Sequence, residues 1–198
     1  KYLNLKPYLA FVFLILMIVS CGEEKTPLPK PRAYPKVVYP ERSYQVFSER
    51  FCPMSFEYPT YAKIIQDTVY FSEKPENPCW FNLYIPQFNC YLYCTYSDLH
   101  GKKGFSTVVN DAFNLAYKHD QRANFINDTK FTNENGLGGM QFEMSGPAAT
   151  PFQFFITDST SHFMRGALYF NTQVRPDSLL PVYQFVKKDM DQMIKTFK

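Results

Sequence analysis

The 198-residue chain carries 21 lysine and arginine against 18 aspartate and glutamate residues, a formal net charge of +3. Setting aside residues 1–20, which hold Lys1 and Lys6 and no acid, leaves 19 basic against 18 acidic residues, and so balanced a remainder excludes the basic stripe that nucleic acid or an anionic membrane surface selects. Aromatic residues reach 18%, with 20 Phe and 15 Tyr, a density that favours a β-rich domain or an adhesive surface.

Lys1 and Lys6 flank a short basic start, Pro7 breaks it, and Tyr8 to Val19 is an unbroken apolar run. That length suits the h-region of a signal peptide and falls short of the ~20 apolar residues that span a bilayer. Ser20 directly precedes Cys21, with Ile18 at the third position upstream, and no Ala-x-Ala site competes. The pattern looks like a lipobox, so residues 1–20 are expected to be a lipoprotein signal peptide and Cys21 a lipidated N-terminus. Residues 21–36 follow with prolines at 27, 29, 31 and 35. Such a segment favours polyproline II, builds no core, and would act as a stiff tether reaching on the order of 40 Å at about 3.1 Å per residue. Residues 37–198, about 160 in number, suffice for a single globular domain with its own core.

Within that domain, Lys36 to Tyr39, Tyr44 to Phe47 and Met54 to Tyr58 read as short extended pieces punctuated by Pro40, Pro53 and Pro59. Cys79 to Ile85 and Cys90 to Tyr96 read as a hairpin around Pro86-Gln-Phe-Asn89. Ser106 or Thr107 can cap a helix from about Val108 to His119, whose apolar residues fall largely on one face. Asn124 to Asn135 is expected as polar loop or ragged edge. Met140 to Met144, Phe152 to Thr157 and Phe163 to Asn171 read as strands, with Asp158-Ser-Thr-Ser161 turning between the last two. A final helix is expected from near Asp177 or Ser178 to about Phe197, its stripe of Val182, Phe185, Val186, Met190, Met193 and Ile194 forming core. The sum is an α+β domain, an antiparallel β-sheet covered by a mid-chain and a C-terminal helix.

Besides Cys21 the cysteines are Cys52, Cys79, Cys90 and Cys94, an even number in an exported chain, with three pairings formally possible. Cys90 and Cys94, four steps apart on one strand, stand roughly 13 Å from each other, too far to bridge or to share a metal ion. They read as small buried hydrophobes. Cys52 and Cys79, beside Pro and Trp at the edges of elements, are the expected disulfide, closing a loop worth roughly 3.5 kcal/mol in the chain-entropy model.

The sequence contains no Gly-x-Ser-x-Gly, His-Glu-x-x-His, Cys-x-x-Cys or Walker loop. Gly136-Leu-Gly-Gly leads into a strand rather than a helix, so it lacks the dipole and amide cup that phosphate needs. The compact set Asp158, Ser159 and His162 is the one arrangement a hydrolase would draw on, but a tight turn rarely converges three such side chains. No catalytic residue, metal ligand or cofactor is therefore expected. Asp158, Ser159, His162 and Arg165 stand instead as a candidate interaction site, with Asp158 and Ser159 closing the turn and His162 and Arg165, three apart, facing opposite sides of the strand.

The block Thr157-Asp-Ser-Thr-Ser-His-Phe-Met-Arg-Gly-Ala-Leu-Tyr-Phe-Asn171, with Cys52-Pro-Met-Ser-Phe-Glu-Tyr-Pro59, Cys79-Trp80, Tyr117-Lys-His119 and the lipobox, resembles the GldD family of gliding-motility lipoproteins of Bacteroidetes. Gly146-Pro-Ala-Ala-Thr150 departs from the Gly-Asn-Ala-Ala-Ser of that pattern. The resemblance implies a non-catalytic, lipid-anchored accessory protein of the cell envelope, on the periplasmic face of the outer membrane. It further implies a role in gliding and in the type 9 secretion machinery, with other envelope proteins as partners, the membrane reached through the lipid, and no nucleic acid. It also implies two family cysteines at Cys52 and Cys79. By fold analogy the order of elements is similar to the PsbP/Mog1 type of α/β/α sandwich. Two other classes of function are kept beside this one: a ligand-binding module with an aromatic pocket, favoured by a large apolar cavity, and a hydrolase using Ser159 and His162. A flat exposed aromatic patch favours the accessory role.

Overall fold

The computed structural model describes residues 36–67, 77–100 and 104–198. The expected signal peptide, Cys21 and most of the proline-rich tether lie outside these residues. Among the described residues nine strands and two helices follow one another: β1 (Tyr44–Phe47), β2 (Phe56–Pro59), β3 (Lys63–Gln66), β4 (Phe81–Ile85), β5 (Cys90–Asp98), α1 (Phe105–Tyr117), β6 (Phe125–Thr132), β7 (Gly138–Ser145), β8 (Phe152–Thr157), β9 (His162–Phe170) and α2 (Pro176–Thr196). β3 to β9 form one antiparallel sheet in the order β3-β4-β5-β9-β8-β7-β6, while β1 and β2 pair separately.

Side-chain alternation distributes the apolar residues to two faces. Phe81, Leu83, Leu92, Phe154 and Leu168 meet Val186, Met190, Met193 and Ile194 of α2 on one side. Phe142, Met144, Phe155 and Phe163 meet Val108, Ala112 and Ala116 of α1 on the other. β8 is buried at all six positions because it feeds both layers, which is why Phe-Gln-Phe-Phe-Ile-Thr reads as a run rather than an alternation. The domain is thus α+β, an antiparallel sheet between its mid-chain and C-terminal helices.

Three local expectations are corrected. α1 starts at Phe105 with Gly104 at the N-cap and no side-chain cap, so Ser106 and Thr107 are helical residues of the first turn. Residues 125–132, expected as loop or ragged edge, form the eight-residue edge strand β6; a strand wetted on both faces carries no alternation to read. β3, short and at the opposite edge, escaped notice for the same reason.

The β6–β7 turn uses its glycines for backbone geometry. Gly136 sits at φ +82°, and a Cβ on Gly139 would meet the Phe155 carbonyl oxygen and the Phe131 ring. Asn133 Oδ1 accepts the N–H groups of Asn135 (3.0 Å) and Leu137 (2.9 Å). Its Nδ2 donates to the carbonyls of Ile194 (3.0 Å) and Phe197 (2.8 Å), supplying partners that the last turn of a helix otherwise lacks.

Cys52 and Cys79 form a disulfide with Cα atoms 4.8 Å apart. Cys90 and Cys94 are free and buried on the α2 side of β5, and burial, followed by the nearby Asp189 carboxylate, pushes the Cys90 thiol up to about 12.

The segment that leads into β1 and on to β3 straps across α2. Asp189 of α2, fully buried, accepts from Arg42 Nε (2.8 Å), Tyr44 Oη (3.1 Å) and Tyr61 Oη, while Arg42 Nη2 donates to the Phe185 carbonyl (2.9 Å). Burial and then Asp189 raise the Tyr44 phenol to about 12. Farther along, Ser55 and Lys198 exchange backbone hydrogen bonds of 3.1 and 2.9 Å, and Gln192 Nε2 donates to Glu57 Oε2 at 2.6 Å.

Candidate functional site

The β8–β9 turn is built by its own side chains. Asp158 Oδ1 accepts the N–H groups of Thr160 (3.0 Å), Ser161 (2.9 Å) and His162 (2.8 Å). Thr157 Oγ1 accepts the Ser159 N–H (2.9 Å) and donates to the His162 carbonyl (2.7 Å), which holds Ser159 at φ +66°. Partial burial would raise the Asp158 carboxyl, but the three backbone donors outweigh it and hold the group at about 2. With its folded pKa depressed, the turn gains from this charge above the usual carboxylate pKa near 4 and loses that gain as pH falls toward 2.

His162 Nδ1 pairs with Tyr96 Oη at 2.6 Å, and His100 Nε2 with Ser161 Oγ at 3.0 Å. Trp80 Nε1 anchors the same strand by donating to the Tyr96 carbonyl at 2.9 Å. Asp158 is thus engaged by backbone and His162 Nδ1 by a phenol, an arrangement that orders the turn. It does not build the base-and-orienter relay that would activate Ser159.

Arg165 lies on the opposite face of β9, as alternation requires, so the four candidate residues do not form one site. Its Nη2 donates to Gln153 Oε1 at 2.5 Å. Gln153 is buried, and its Nε2 has no hydrogen-bond partner among the described residues. Burial and then the Arg165 guanidinium lower the pKa of His119, just beyond α1.

Arg165 also adjoins a row of tyrosines on the part of this face that α1 leaves open. Tyr84 stacks on Tyr91 with ring centroids 4.3 Å apart, Tyr91 on Tyr93 at 5.7 Å, and Tyr169 meets Tyr93 edge-on at 5.6 Å. The Tyr93 side is open to solvent, 43% exposed. The sequence did carry the signal: Tyr84, Tyr91 and Tyr93 alternate with Leu83, Ile85, Cys90, Leu92 and Cys94. What it withheld was the register, Tyr84↔Tyr91↔Tyr169 and Tyr93↔Ala167, that gathers them into one patch beside Arg165.

A second feature is an apolar cleft of about 430 Å³ between the ends of β6 and β7, the 146–151 loop and the start of α2. Phe125, Met144, Pro151, Phe170, Val174 and Leu180 supply its apolar walls, and its charged lining residues are Glu143 and Asp177. Glu143 Oε2 accepts from Tyr183 Oη at 3.1 Å. Among the described residues no cluster of three or more His, Cys, Asp or Glu side chains could hold a metal ion.

The family model described as "Gliding motility lipoprotein GldD" matches residues 24–198. No curated protein matches the chain. Among solved structures, the solution structure of cyanobacterial PsbP (CyanoP) from Synechocystis sp. PCC 6803 is similar at 13% sequence identity, covering 79% of this chain and 92% of that chain with a TM-score of 0.49.

Proposed function

Because the chain belongs to the gliding motility lipoprotein GldD family, we propose that it is a non-catalytic accessory lipoprotein of the gliding apparatus and of the type 9 secretion machinery associated with it. In this reading residues 1–20 direct export and Cys21 carries the lipid. Residues 21–36 tether the domain of residues 37–198 at the periplasmic face of the outer membrane. The observation that carries the accessory role is the row of Tyr84, Tyr91, Tyr93 and Tyr169 beside Arg165, half-buried except at the exposed Tyr93. Tyrosine and arginine dominate the energetic centres of protein interfaces, since each offers a large contact area with polar reach.

Labelled palmitate should enter the wild-type protein and disappear in Cys21→Ala; persistent labelling of that variant would remove the lipid-anchor reading. The docking role is tested separately. Arg165→Ala, with the fold checked by circular dichroism, is expected to abolish motility and recovery of envelope partners, whereas Ser159→Ala leaves both intact. The reverse pattern, accompanied by labelling of wild type with a serine-directed probe, would make the protein a hydrolase.

The apolar cleft favours a second reading, a ligand-binding envelope module, because its volume and lining fall in the range of small-molecule sites. Its mark would be a motility defect in a Leu180→Asp variant that keeps partner recovery.

A further inference from the structure

β6 closes one side of the sheet, runs for eight residues and buries none of them. Its backbone phase follows from the hairpin. Asn133 N–H donates to the Leu137 carbonyl at 2.9 Å, and the register continues through Phe131↔Gly139, Thr129↔Gln141 and Asn127↔Glu143. Hydrogen-bonded and non-hydrogen-bonded pairs alternate along an antiparallel ladder. The odd-numbered residues therefore direct their backbone groups at β7, and the N–H and C=O of Ile126, Asp128, Lys130 and Thr132 point out from an edge that no described strand pairs. Such an edge is a template for one more strand.

We propose that this strand is β6 of a second copy, paired antiparallel about a two-fold axis through Thr129 so that Asp128 of each copy opposes Lys130 of the other. Outward backbone groups must meet outward backbone groups, so even-numbered residues face even-numbered residues, and the two-fold can pass centrally through position 128, 129 or 130. The first choice sets Asp128 against Asp128 and the last sets Lys130 against Lys130. The axis through Thr129 alone among these opposes unlike charges, twice over, in an isologous contact. Asp128 is ordered on the α1 face of β6 by Tyr117 Oη, which donates to its Oδ1 at 3.0 Å. The same two charges disfavour the neighbouring registers, so they select one pairing while keeping the edge from promiscuous association.

The test is cysteine cross-linking of the full chain in its native envelope, read by non-reducing electrophoresis. In the proposed pairing the two Thr129 residues form a non-hydrogen-bonded pair with Cα atoms about 4.5 Å apart, within disulfide reach. The two Asn127 residues lie roughly 13 Å apart. Thr129→Cys should yield a covalent dimer and Asn127→Cys should not. Adding Asp128→Lys or Lys130→Asp alone to Thr129→Cys should lower the cross-linked fraction roughly tenfold, since two opposed pairs become repulsive, and adding both should restore it. An intact Cys52–Cys79 bond certifies the fold in each variant. Absence of dimer, equal cross-linking from Asn127→Cys, indifference to the single charge reversals, or capture of a protein of different mass would each overturn the pairing.

Discussion

Asp189→Ala is expected to cost about 3–5 kcal/mol of stability, the range for removing one partner of a buried ion pair, and to shift the thermal midpoint by on the order of 10 °C in a domain of this size. Asp189 is fully buried, and its carboxylate holds Arg42, Tyr44 and Tyr61 together. Truncation leaves the Arg42 guanidinium without its anion and two phenols without their acceptor where the strap crosses α2. Asp189→Asn keeps the shape and an acceptor for the phenols. Because the Arg42 side chain remains 28% exposed and water can solvate part of its charge, the smaller change should cost distinctly less. Urea unfolding of the two variants checks the order. A loss below about 1 kcal/mol in Asp189→Ala would mean that the strap is held by its apolar contacts rather than by this carboxylate.

Loss of the Cys52–Cys79 bond comes next in size. It closes a loop between positions 27 apart in sequence, and restricting that loop in the unfolded chain is worth roughly 3.5 kcal/mol. A Cys52→Ala, Cys79→Ala double variant should lose about that much in urea unfolding without a change of fold. Native protein should resist thiol alkylation altogether: Cys52 and Cys79 are bonded, and Cys90 and Cys94 are buried thiols whose pKa values burial raises. Denaturation without reductant should then expose Cys90 and Cys94 alone. Alkylation of Cys52 in the native state would refute the bond.

The regular elements that were most legible in the sequence share one property: burial on one face or on both. β4 and β5 alternate Leu83, Ile85, Leu92 and Cys94 against tyrosines, and α2 repeats Val182, Val186, Met190 and Met193 at helical spacing, so periodicity reports them. β6 spells Phe-Ile-Asn-Asp-Thr-Lys-Phe-Thr with both faces wetted, and no period marks it. Asp189 was hidden differently. It sits among Lys187, Lys188 and Asp191, where a carboxylate reads as part of a solvated face, and only the strap laid over it from more than a hundred residues upstream makes it interior. The candidate hairpin was legible as a turn because Asp158 at its corner bonds its own backbone, whereas the second closing side chain is Thr157 and not the expected Ser159. The tyrosine patch needed pairing between β5 and β9, a relation between strands some seventy residues apart that local pattern does not encode.

The strap has a consequence for the order in which the chain assembles. Its polar ties run from Arg42 to Asp189, 147 positions on, and from Tyr61 to Asp189, 128 positions on; Ser55 bonds the terminal Lys198 itself. Contacts of such sequence separation close late, because the loop entropy they cost is offset only after the intervening elements have formed. Residues 42–61, the first of the domain to emerge, must therefore wait in solvent with Phe47 and Phe56 exposed until α2 is complete, and they are the stretch most open to aggregation or to a chaperone's grip in that interval. A chain shortened by its last two residues would lose the Ser55–Lys198 bonds and the stacking of Phe56 on Phe197, and its N-terminal strands would settle less firmly.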